Sequence, residues 1–397
     1  MELDYSSVLG VISSSELNVT SELEVLNAVI KWLNYNIRKR KRFAKSLLQK
    51  VRVPLLSVDA LKHMLSKPSE ICKIDECVDM LKKALKERGT ISRRYYQCKS
   101  SIHYTHRYCS NPNFNILICG GRSSTSYQIT QRAVELNVNN PAVTIMLPSM
   151  KNPRYHFKTV CLKGEVYLFG GHGIRGTWVR SVDKYSPVTK KWNKVSDMFD
   201  DRTEFCACAF MGKVFIFGGR YHSTATNTCF QFNTKDKGWK EVAAMNETRQ
   251  RAACAAFEGK IVICGGWDTN VNKLNTVQSF DVIANLWKTM PNMVERRSDH
   301  NLLAVKRKLF SIGGNNRGDV LFNECEVFDS TCNRFVTLKS SALFYAKAVS
   351  IGSKVFIFQN KTSNLVIYDT HKEEWSEEPC EATNNYSNYS CVKLPAY

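Results

Sequence analysis

Four residues whose side chains can bind zinc lie within twelve positions of the sequence, at Cys98, His103, His106 and Cys109. Cysteine and histidine are the usual ligands of structural Zn²⁺. Their spacing here, C-x4-H-x2-H-x2-C, corresponds to no established zinc framework. Two interpretations stand, a chance cluster in a Tyr-rich linker and a zinc site. We favour the first and predict no metal and no cofactor.

Residue arrangements that support catalysis do not occur elsewhere in the sequence. There is no G-x-S-x-G, no H-E-x-x-H, no Walker sequence and no G-x-G-x-x-G that enters a helix. These motifs would supply a nucleophile, a metal-activated water or a phosphate-binding loop. We therefore predict a protein that is not an enzyme and that works by binding.

The most regular pattern is a strand-like segment that ends in two glycines. It reads KVFIFGGR at Lys213–Arg220 and recurs with first glycines at positions 120, 170, 218, 265 and 313. A sixth copy, KVFIFQN, places Gln359 in register without either glycine. β-branched and aromatic residues favour strands, and glycine lets the backbone leave a strand in a conformation that other residues resist. A repeat of 46 to 50 residues indicates a β-propeller of six blades.

Each repeat carries two further fixed positions. In four copies an arginine stands sixteen residues before the first glycine of the pair. A large aromatic residue follows about 22 residues after that glycine. Since these residues recur in every unit, we expect them to pack blade against blade. They are Arg154, Arg202, Arg249, Arg297, Trp192, Trp239, Trp287 and Phe335, with Trp375 in the last copy.

The two ends of the predicted propeller complement each other. The first copy begins at its second strand, Asn115–Gly121, and Tyr389–Leu394 has strand character after the last blade. We expect the C-terminal strand to complete the first blade, because this pairing removes exposed sheet edges.

Residues 1–90 have helical periodicity. Ser21 and Glu24 form a capping box before one apolar face, and a second face begins at Phe43. A third helix is predicted between Ser57 and Pro68, and a fourth ends at Gly89. Short connections between such helices favour a compact bundle. The predicted apolar faces contain Leu23, Leu26, Val29, Ile30 and Leu33; Leu47, Leu48 and Val51; and Ile71, Ile74, Cys77, Val78, Leu81 and Leu85.

The chain is strongly basic, with 56 Lys and Arg against 36 Asp and Glu, a net charge of +20. This charge favours acidic partners, while no pattern of a nucleic-acid module accompanies it. The run Arg38–Arg42 is interpreted as a solvated loop between helices, with a nuclear-import or anion-binding patch as the alternative.

The 15 cysteines fit reduced core thiols better than disulfides. No secretory signal or membrane span is predicted, so we expect a cytoplasmic protein, with cytoskeletal or nuclear association as further options.

Both parts resemble one family. The segment SSSELNVTSELEVLNAVIKWL, followed by LLQKVRVPLL, is similar to the BACK domain of the BTB–BACK–Kelch (kelch-like) proteins. Each repeat has an arginine, then the two glycines, then a strand with Tyr or Phe, as in SVDKYSP and VQSFDVI, and then a tryptophan. This order resembles the Kelch repeat. The resemblance implies a multidomain α + all-β chain, with a BACK-like helical domain at 1–90, a linker at 91–113 and a six-bladed Kelch propeller at 114–397. In this family a BTB domain that dimerises and helps to hold a cullin lies before BACK, and we expect this sequence to start too late to contain it.

The resemblance also implies a function and a site. Kelch-like adaptors recruit substrates to a cullin-RING E3 ubiquitin ligase, and several kelch proteins bind actin. Galactose oxidase has kelch-type repeats too, but no copper ligands can be assigned here. In the adaptors, loops after the diglycine and just past the repeat arginine grip a substrate peptide. In this chain those positions are Arg122, His172, Arg220, Trp267 and Asn315, and Tyr155, Thr203, Gln250, Arg251 and Ser298. The arginines there favour an acidic peptide, since guanidinium groups bind carboxylates through two hydrogen bonds.

Overall fold

The computed structural model describes residues 4–13, 22–51, 53, 61, 64–66, 74–94, 114–222, 224–305, 308–315, 325–330, 332–338, 346–359 and 363–395. The chain divides into two compact units, Met1–Pro112 and Asn113–Tyr397. The first is helical and the second consists of antiparallel sheets. This confirms the predicted fold class. The cluster of Cys98, His103, His106 and Cys109 lies outside the described residues.

The helical unit buries the apolar faces of its helices in one core. Leu26, Val29 and Leu33 are fully buried, and they pack with Leu47 and Leu81. This arrangement follows from apolar residues spaced three and four positions apart, which place one face of each helix against its neighbours. The described helices are α1 (Tyr5–Ser13), α2 (Glu22–Tyr35), α3 (Ile37–Arg40), α4 (Ala44–Leu48) and α5 (Asp75–Arg94), with a 3-10 turn at Lys41–Phe43.

Two local predictions in this unit are wrong. The basic run is helical, in α3 and the following 3-10 turn, because Asn36 caps the backbone of Lys39 and Arg and Lys are good helix formers. Helix α5 does not end at Gly89 but continues to Arg94. A single glycine costs a helix only about 1 kcal/mol relative to alanine, so it need not end one. The predicted capping box and most of the third predicted helix lie outside the described residues.

The second unit contains six four-stranded antiparallel sheets among the described residues, and each sheet forms one blade. Two smaller sheets contain the short strands β2 (Arg122–Ser123), β9 (Arg202–Thr203), β12 (Arg220–Tyr221), β13 (Thr224–Ala225) and β28 (Tyr386–Ser387). From the innermost strand outward, blade 1 is β29 (Ser390–Pro395), β1 (Phe114–Cys119), β3 (Ala133–Leu136) and β4 (Thr144–Met146); blade 2 is β5 (Lys158–Leu162), β6 (Glu165–Phe169), β7 (Ser181–Ser186) and β8 (Lys191–Asp197); blade 3 is β10 (Cys206–Phe210), β11 (Lys213–Phe217), β14 (Cys229–Asn233) and β15 (Gly238–Val242); blade 4 is β16 (Ala253–Phe257), β17 (Lys260–Cys264), β18 (Val277–Asp281) and β19 (Leu286–Met290); blade 5 is β20 (Asn301–Val305), β21 (Lys308–Ile312), β22 (Cys325–Asp329) and β23 (Arg334–Leu338); and blade 6 is β24 (Lys347–Ile351), β25 (Lys354–Phe358), β26 (Asn364–Asp369) and β27 (Glu374–Pro379).

The blades form a closed ring. Each innermost strand contacts the innermost strands of both neighbouring blades, in the order β29, β5, β10, β16, β20, β24 and back to β29. Strand β29 pairs antiparallel with β1 along its whole length, from Phe114↔Pro395 to Cys119↔Ser390. The first blade is therefore built from both ends of the propeller sequence.

The diglycine positions are explained by backbone conformation and by space. Gly219 has φ of 98°, in the region that favours glycine, and a Cβ there would lie 2.6 Å from the carbonyl oxygen of Thr203. Any side chain would thus be strained and would also collide with the backbone just before β10. The paired glycines let the chain turn away from the second strand while the residues after the repeat arginine approach closely.

The repeat arginines are buried structural residues. In blade 4 the guanidinium of Arg249 donates to the carbonyl oxygen of Gly265 at 2.8 Å, to Thr276 and to Glu247. The carbonyl oxygen of Arg249 accepts a hydrogen bond from Gly219 at 2.7 Å, which links blade 4 to blade 3. The other repeat arginines also pair with carboxylates, as Arg154–Asp183, Arg202–Asp200 and Arg297–Glu326.

The repeat tryptophans connect neighbouring blades. Nε1 of Trp239 donates to the carbonyl oxygen of Asp197 in blade 2 at 2.8 Å. Trp192 and Trp287 donate in the same way to Pro148 and Ala243 of their preceding blades. The expectation of packing blade against blade is confirmed for the tryptophans. The guanidinium groups of the repeat arginines bond within their own blade, and it is a backbone carbonyl, as in Arg249, that reaches the preceding blade.

Candidate functional site

The two sets of loop residues chosen from the sequence meet at one face of the propeller. Each residue after a repeat arginine pairs antiparallel with the residue that follows the diglycine of the same blade. The pairs are Tyr155↔His172, Thr203↔Arg220, Gln250↔Trp267 and Ser298↔Asn315, and Arg122 pairs with Ser387. We call this surface the mouth and define it by Arg122, Tyr155, His172, Thr203, Arg220, Gln250, Arg251, Trp267, Ser298 and Asn315.

One half of the mouth, in blades 1 to 3, combines cations with aromatic rings. The guanidinium of Arg122 lies over the ring of Tyr155, 3.9 Å from its centroid. Tyr155 stacks on His172 with 5.2 Å between ring centroids, and His172 meets Trp178 edge to face at the same separation. Burial lowers the pKa of His172; the charge of Glu204 opposes this shift, and Arg122 and Arg220 reinforce it. His172 is thus neutral at pH 7 and lies between two arginines.

Neither arginine of this half has a carboxylate paired with it, although the charge of Arg220 acts on Glu204. Within the described ranges, Arg122 and Arg220 form no ion pair, and the buried Nε atom of each has no hydrogen-bond partner. The buried Nδ1 of His172 also has no partner among these residues. Nε of Arg251, in the other half, also has no partner. What distinguishes Arg122 and Arg220 is that no carboxylate pairs with them, so their guanidinium groups can donate to a bound group.

The other half of the mouth, in blades 3 to 5, is internally paired. The guanidinium of Arg251 donates to Glu204 at 2.7 Å and to Asp299 at 3.3 Å, and it lies 4.9 Å from the ring centroid of Trp267. Burial acts to raise the pKa of Glu204, but the hydrogen bond and charge of Arg251 outweigh it, and the pKa is lowered. Burial acts to lower the pKa of Arg251, and its two carboxylates raise it. The cation of Arg251 is therefore already neutralised, unlike those of Arg122 and Arg220.

Three of the residues chosen from the sequence are buried. Thr203 and Ser298 have no exposed surface and Asn315 is 5% exposed, because backbone pairing holds them between blades. Ser298 accepts from Nε1 of Trp267 at 2.6 Å and donates to Asn315 at 2.6 Å. The side chains of Ser298 and Asn315 therefore position Trp267 and do not reach a partner protein. Gln250 is half-buried, and its Oε1 has no hydrogen-bond partner among the described residues.

The sequence pointed to only one member, Arg251, of a second ring of residues one position further along. The residue two positions after each repeat arginine has a left-handed backbone although it is not glycine. The members are His156 (φ 52°), Glu204 (φ 56°), Arg251 (φ 56°) and Asp299 (φ 55°), and Asn388 (φ 54°) occupies the corresponding place in blade 1. Backbone hydrogen bonds join neighbours, from Arg251 to Glu204 and from Asp299 to Arg251. The constant offset from the repeat arginine was the available signal.

Two other features, a metal cluster and a membrane-spanning helix, are absent from the described residues. In those ranges, no group of three or more His, Cys, Asp or Glu side chains is arranged to hold a metal ion. The helices that are described there include none long and apolar enough to cross a membrane.

Comparison with known proteins assigns both units. The family described as the KLHDC2/KLHL20/DRC7 Kelch-repeats domain matches residues 103–314 and, in a second match, 196–360. The BTB And C-terminal Kelch (BACK) domain matches residues 1–66.

Curated relatives match along nearly the whole chain. Kelch-like protein 7 of Rattus norvegicus is 29% identical over 399 residues, which cover 94% of this chain and 64% of the relative. Kelch-like protein 25 of Xenopus tropicalis is 22% identical over 391 residues, covering 94% of this chain and 56% of the relative. Kelch-like protein 28 of Mus musculus is 27% identical over 225 residues, covering 55% and 38%. The chain thus spans 38% to 64% of the length of these relatives. Since a Kelch-repeats match covers more than half of the residues and a BACK match precedes it, the chain belongs to the Kelch-like family.

Proposed function

We propose that this chain is a non-enzymatic adaptor that binds an acidic segment of a partner protein at its mouth. The observation that carries the proposal is the pair of arginines without an ion pair among the described residues, Arg122 in blade 1 and Arg220 in blade 3, with His172 of blade 2 between them. Arg251 at the same face is neutralised by Glu204 and Asp299. We therefore place the acidic contact in blades 1 to 3, and not around Arg251.

The chemistry of this half suits carboxylate binding. A guanidinium group presents two parallel donors that match a carboxylate, and such hydrogen bonds are about twice as strong as neutral ones. The rings of Tyr155, His172 and Trp178 provide a flat apolar surface beside the charges, and aromatic anchors of this kind dominate many interfaces. The net charge of +20 would also speed the encounter with an acidic partner.

The wider role that we propose is substrate recognition for a cullin-RING E3 ubiquitin ligase. This part rests on membership in the Kelch-like family. The ubiquitin transfer would be carried out by the ligase, while this chain would select the substrate. The alternative is a cytoskeletal protein that binds actin through the same propeller.

The binding proposal can be tested with labelled peptides. The full chain is titrated against fluorescein-labelled 12-residue peptides that carry two to four Asp or Glu residues, and against matched Asn and Gln peptides. We expect binding of acidic peptides only, weakened at least tenfold in the double variant Arg122→Ala/Arg220→Ala. A double variant at Lys235 and Lys240, which are exposed away from the mouth, removes the same charge and should bind normally. Equal losses in both double variants would mean that only the net charge matters, and would refute the site.

The wider role is tested separately. Immunoprecipitation of the full chain from cells, followed by detection of cullin, supports the ligase role. Co-sedimentation of purified chain with actin filaments, without cullin recovery, supports the cytoskeletal alternative. Peptide binding at Arg122 and Arg220 is compatible with either result. The proposed binding site and the proposed wider role are therefore tested independently of each other.

A further inference from the structure

The basic run of the helical unit, residues 38–42, has no role in the function proposed for the mouth. It starts in α3, continues through the 3-10 turn at Lys41–Phe43 and leads directly into α4. The backbone is right-handed helical where these elements meet, so residues 37–48 form one helical segment. The apolar side chains of this segment pack into the core of the unit, and they are Ile37, Phe43, Ala44, Leu47 and Leu48. The charged side chains are therefore left on the outer side.

The outer side of the segment is dense in positive charge. Residues 25–51 contain eight Lys and Arg and no Asp or Glu. Helical positions four apart lie on one side, about 6 Å apart along the axis, and this spacing relates Arg38 to Arg42 and Lys41 to Lys45. We call the exposed cations of the segment the basic face, and its members are Arg38, Lys39, Lys41, Arg42 and Lys45.

The basic face has almost no counter-charge. Lys45 forms an ion pair with Glu76 of α5 at 2.9 Å, but both side chains are at least half exposed, so the pair is weak. Within the described part of the chain, the other four members form no ion pair. Arg42 lies 4.7 Å from the ring centroid of Phe43, and this contact leaves its charge in place. Since like charges four residues apart repel each other, a bound polyanion would relieve this repulsion.

Contacts within the helical unit hold the basic run in its helical form. Nη1 of Arg40 donates to the carbonyl oxygen of Trp32 at 2.8 Å, and the guanidinium lies 4.2 Å from the centroid of the Trp32 ring. The ring of Phe43 stacks on Tyr5 with 4.2 Å between centroids. A nuclear-import receptor that takes up a short basic peptide in an extended conformation could bind only after these contacts were lost. The structure thus favours the anion-binding alternative over an import signal.

The surroundings of the basic face indicate which polyanion fits it. A basic amphipathic helix binds a membrane by burying its apolar side in lipid, but here that side lies in the core of the unit. The centre of a protein–protein interface is depleted in charged residues and enriched in aromatic ones, whereas every member of the basic face is charged. A nucleic acid requires neither, because counterion release from its phosphates supplies affinity through charge alone.

A duplex fits the basic face better than a single strand does. Proteins that bind single strands combine basic grooves with aromatic side chains on which the bases stack. The exposed ring of Tyr35 already has the guanidinium of Arg40 over it, 5.1 Å from its centroid. A duplex keeps its bases stacked on each other and presents its phosphates on the outside, where Lys and Arg can donate to them.

We propose that the basic face binds the phosphate backbone of a nucleic-acid duplex without reading its sequence. The five cations lie on one side of a helical segment and can contact successive phosphates. Contact with phosphates alone requires none of the base-reading modules, whose patterns do not occur in this sequence. The basic face belongs to the helical unit, so this binding does not depend on the mouth of the propeller.

The experiment measures the fluorescence anisotropy of a labelled DNA duplex of 20 base pairs, titrated with the full chain. With five cations engaged, the logarithm of the binding constant should fall with the logarithm of the salt concentration with a slope of up to about −4.5. In Arg38→Gln/Lys41→Gln/Arg42→Gln the affinity at about 50 mM salt should fall at least tenfold, and the slope should become shallower by about 2.7.

A matched control removes the same charge from the propeller. Lys235→Gln/Lys237→Gln/Lys240→Gln changes three exposed lysines at and beside the turn between β14 and β15, and it should bind the duplex as the wild type does. Equal losses in the two triple variants would mean that only net charge matters and would overturn the proposal. Arg122→Ala/Arg220→Ala should also bind the duplex normally, which separates this site from the mouth.

A readout on the wild-type chain keeps the proposal open to refutation even if the triple variant folds poorly. The duplex should protect Lys39 and Lys41 from chemical acetylation, measured by mass spectrometry, while Lys235 and Lys240 stay reactive. The proposal is overturned if the duplex does not bind or if Lys39 and Lys41 are not protected. It is also overturned if vesicles of phosphatidylserine and phosphatidylcholine, or poly-glutamate, bind the basic face more tightly than the duplex at equal salt.

Discussion

Substitution of Arg251 tests whether this side chain stabilises the mouth through its ion pairs or contacts a bound partner. In Arg251→Met the carboxylate of Glu204, whose side chain is 5% exposed, loses its hydrogen-bond partner, and Asp299 loses its ion pair. Breaking a fully buried ion pair from one side costs about 3–5 kcal/mol. Arg251 and Asp299 are 26% and 25% exposed, and solvent screens part of this interaction. We therefore expect a loss of about 2–3 kcal/mol in the free energy of unfolding.

The loss should depend on pH in a defined direction. The folded-state pKa of Glu204 is lowered from its ordinary value of 4.5, so its contribution is present above that value and disappears as pH falls through the folded-state pKa. In Arg251→Met burial still acts to raise the pKa of Glu204, and only the charges of His156 and Arg220 oppose it, so the variant is least stable, relative to wild type, at neutral pH. The difference between the two proteins should shrink as pH falls below about 4.5.

Calorimetry of the full chain measures the effect on the propeller transition. A change of 2–3 kcal/mol corresponds to a fall in Tm of roughly 3–5 °C for a unit as large as Asn113–Tyr397. Arg220→Ala is the matched control, since it removes a mouth arginine without an ion pair, and its Tm should stay within about 1 °C of wild type. Adding Glu204→Gln to Arg251→Met should recover part of the loss, because no buried charge is then left unpaired. An unchanged Tm in Arg251→Met, together with lost peptide binding, would show that Arg251 is a contact residue and would refute this reasoning.

Three further predictions concern the scaffold. Trp239→Phe removes the hydrogen bond to Asp197 across two blades and should lower the free energy of unfolding by about 1 kcal/mol in urea titrations; an unchanged midpoint would mean that this link adds no stability. A chain that ends at Asn388 lacks β29, leaves β1 as an open edge, and should lose its cooperative transition and be cleaved rapidly in limited proteolysis; a protease-resistant propeller would contradict the closure argument. Burial lowers the pKa of His156 from 6.5 to about 3, so only the unfolded state takes up its proton as pH falls below 6.5, and stability decreases with pH there. His156→Gln should reduce this slope by up to about 1.4 kcal/mol per pH unit, and equal slopes would rule the effect out.

The architecture of the propeller could be predicted because its signals are local and repeated. In each unit the strand-forming residues and the glycines specify one blade. Because five copies of this pattern are clear, the sixth copy can be aligned with them. Blade 6 forms its four strands although Gln359 replaces the first glycine, since the strand pattern of KVFIF persists. In the helical unit the buried faces were predictable from their spacing, but the helix boundaries were not. At Gly89 the helix-forming preference of the neighbouring residues outweighs the glycine.

The mouth could be predicted as a set of positions but not as a distribution of charge. The repeat places Tyr155 beside His172 and Gln250 beside Trp267, and these pairings occur. Nothing local indicates that Arg251 meets Glu204 and Asp299, because these residues are brought together only by the curvature of the ring. The left-handed backbone of Glu204 was equally hidden, since such a conformation is usually signalled by glycine or asparagine. Burial of Thr203 and Ser298 likewise follows from packing between blades.

The pairing of β29 with β1 has a consequence for biosynthesis. Residues 114–119 leave the ribosome well before the strand that covers them, Ser390–Pro395, has been translated. Throughout elongation the first sheet has one open flank, which is a hazard for aggregation on a nascent polypeptide. Joining segments so far apart in sequence is also a slow step in folding. A chaperone that shields this flank would therefore affect the yield of folded protein more than the stability of the folded state.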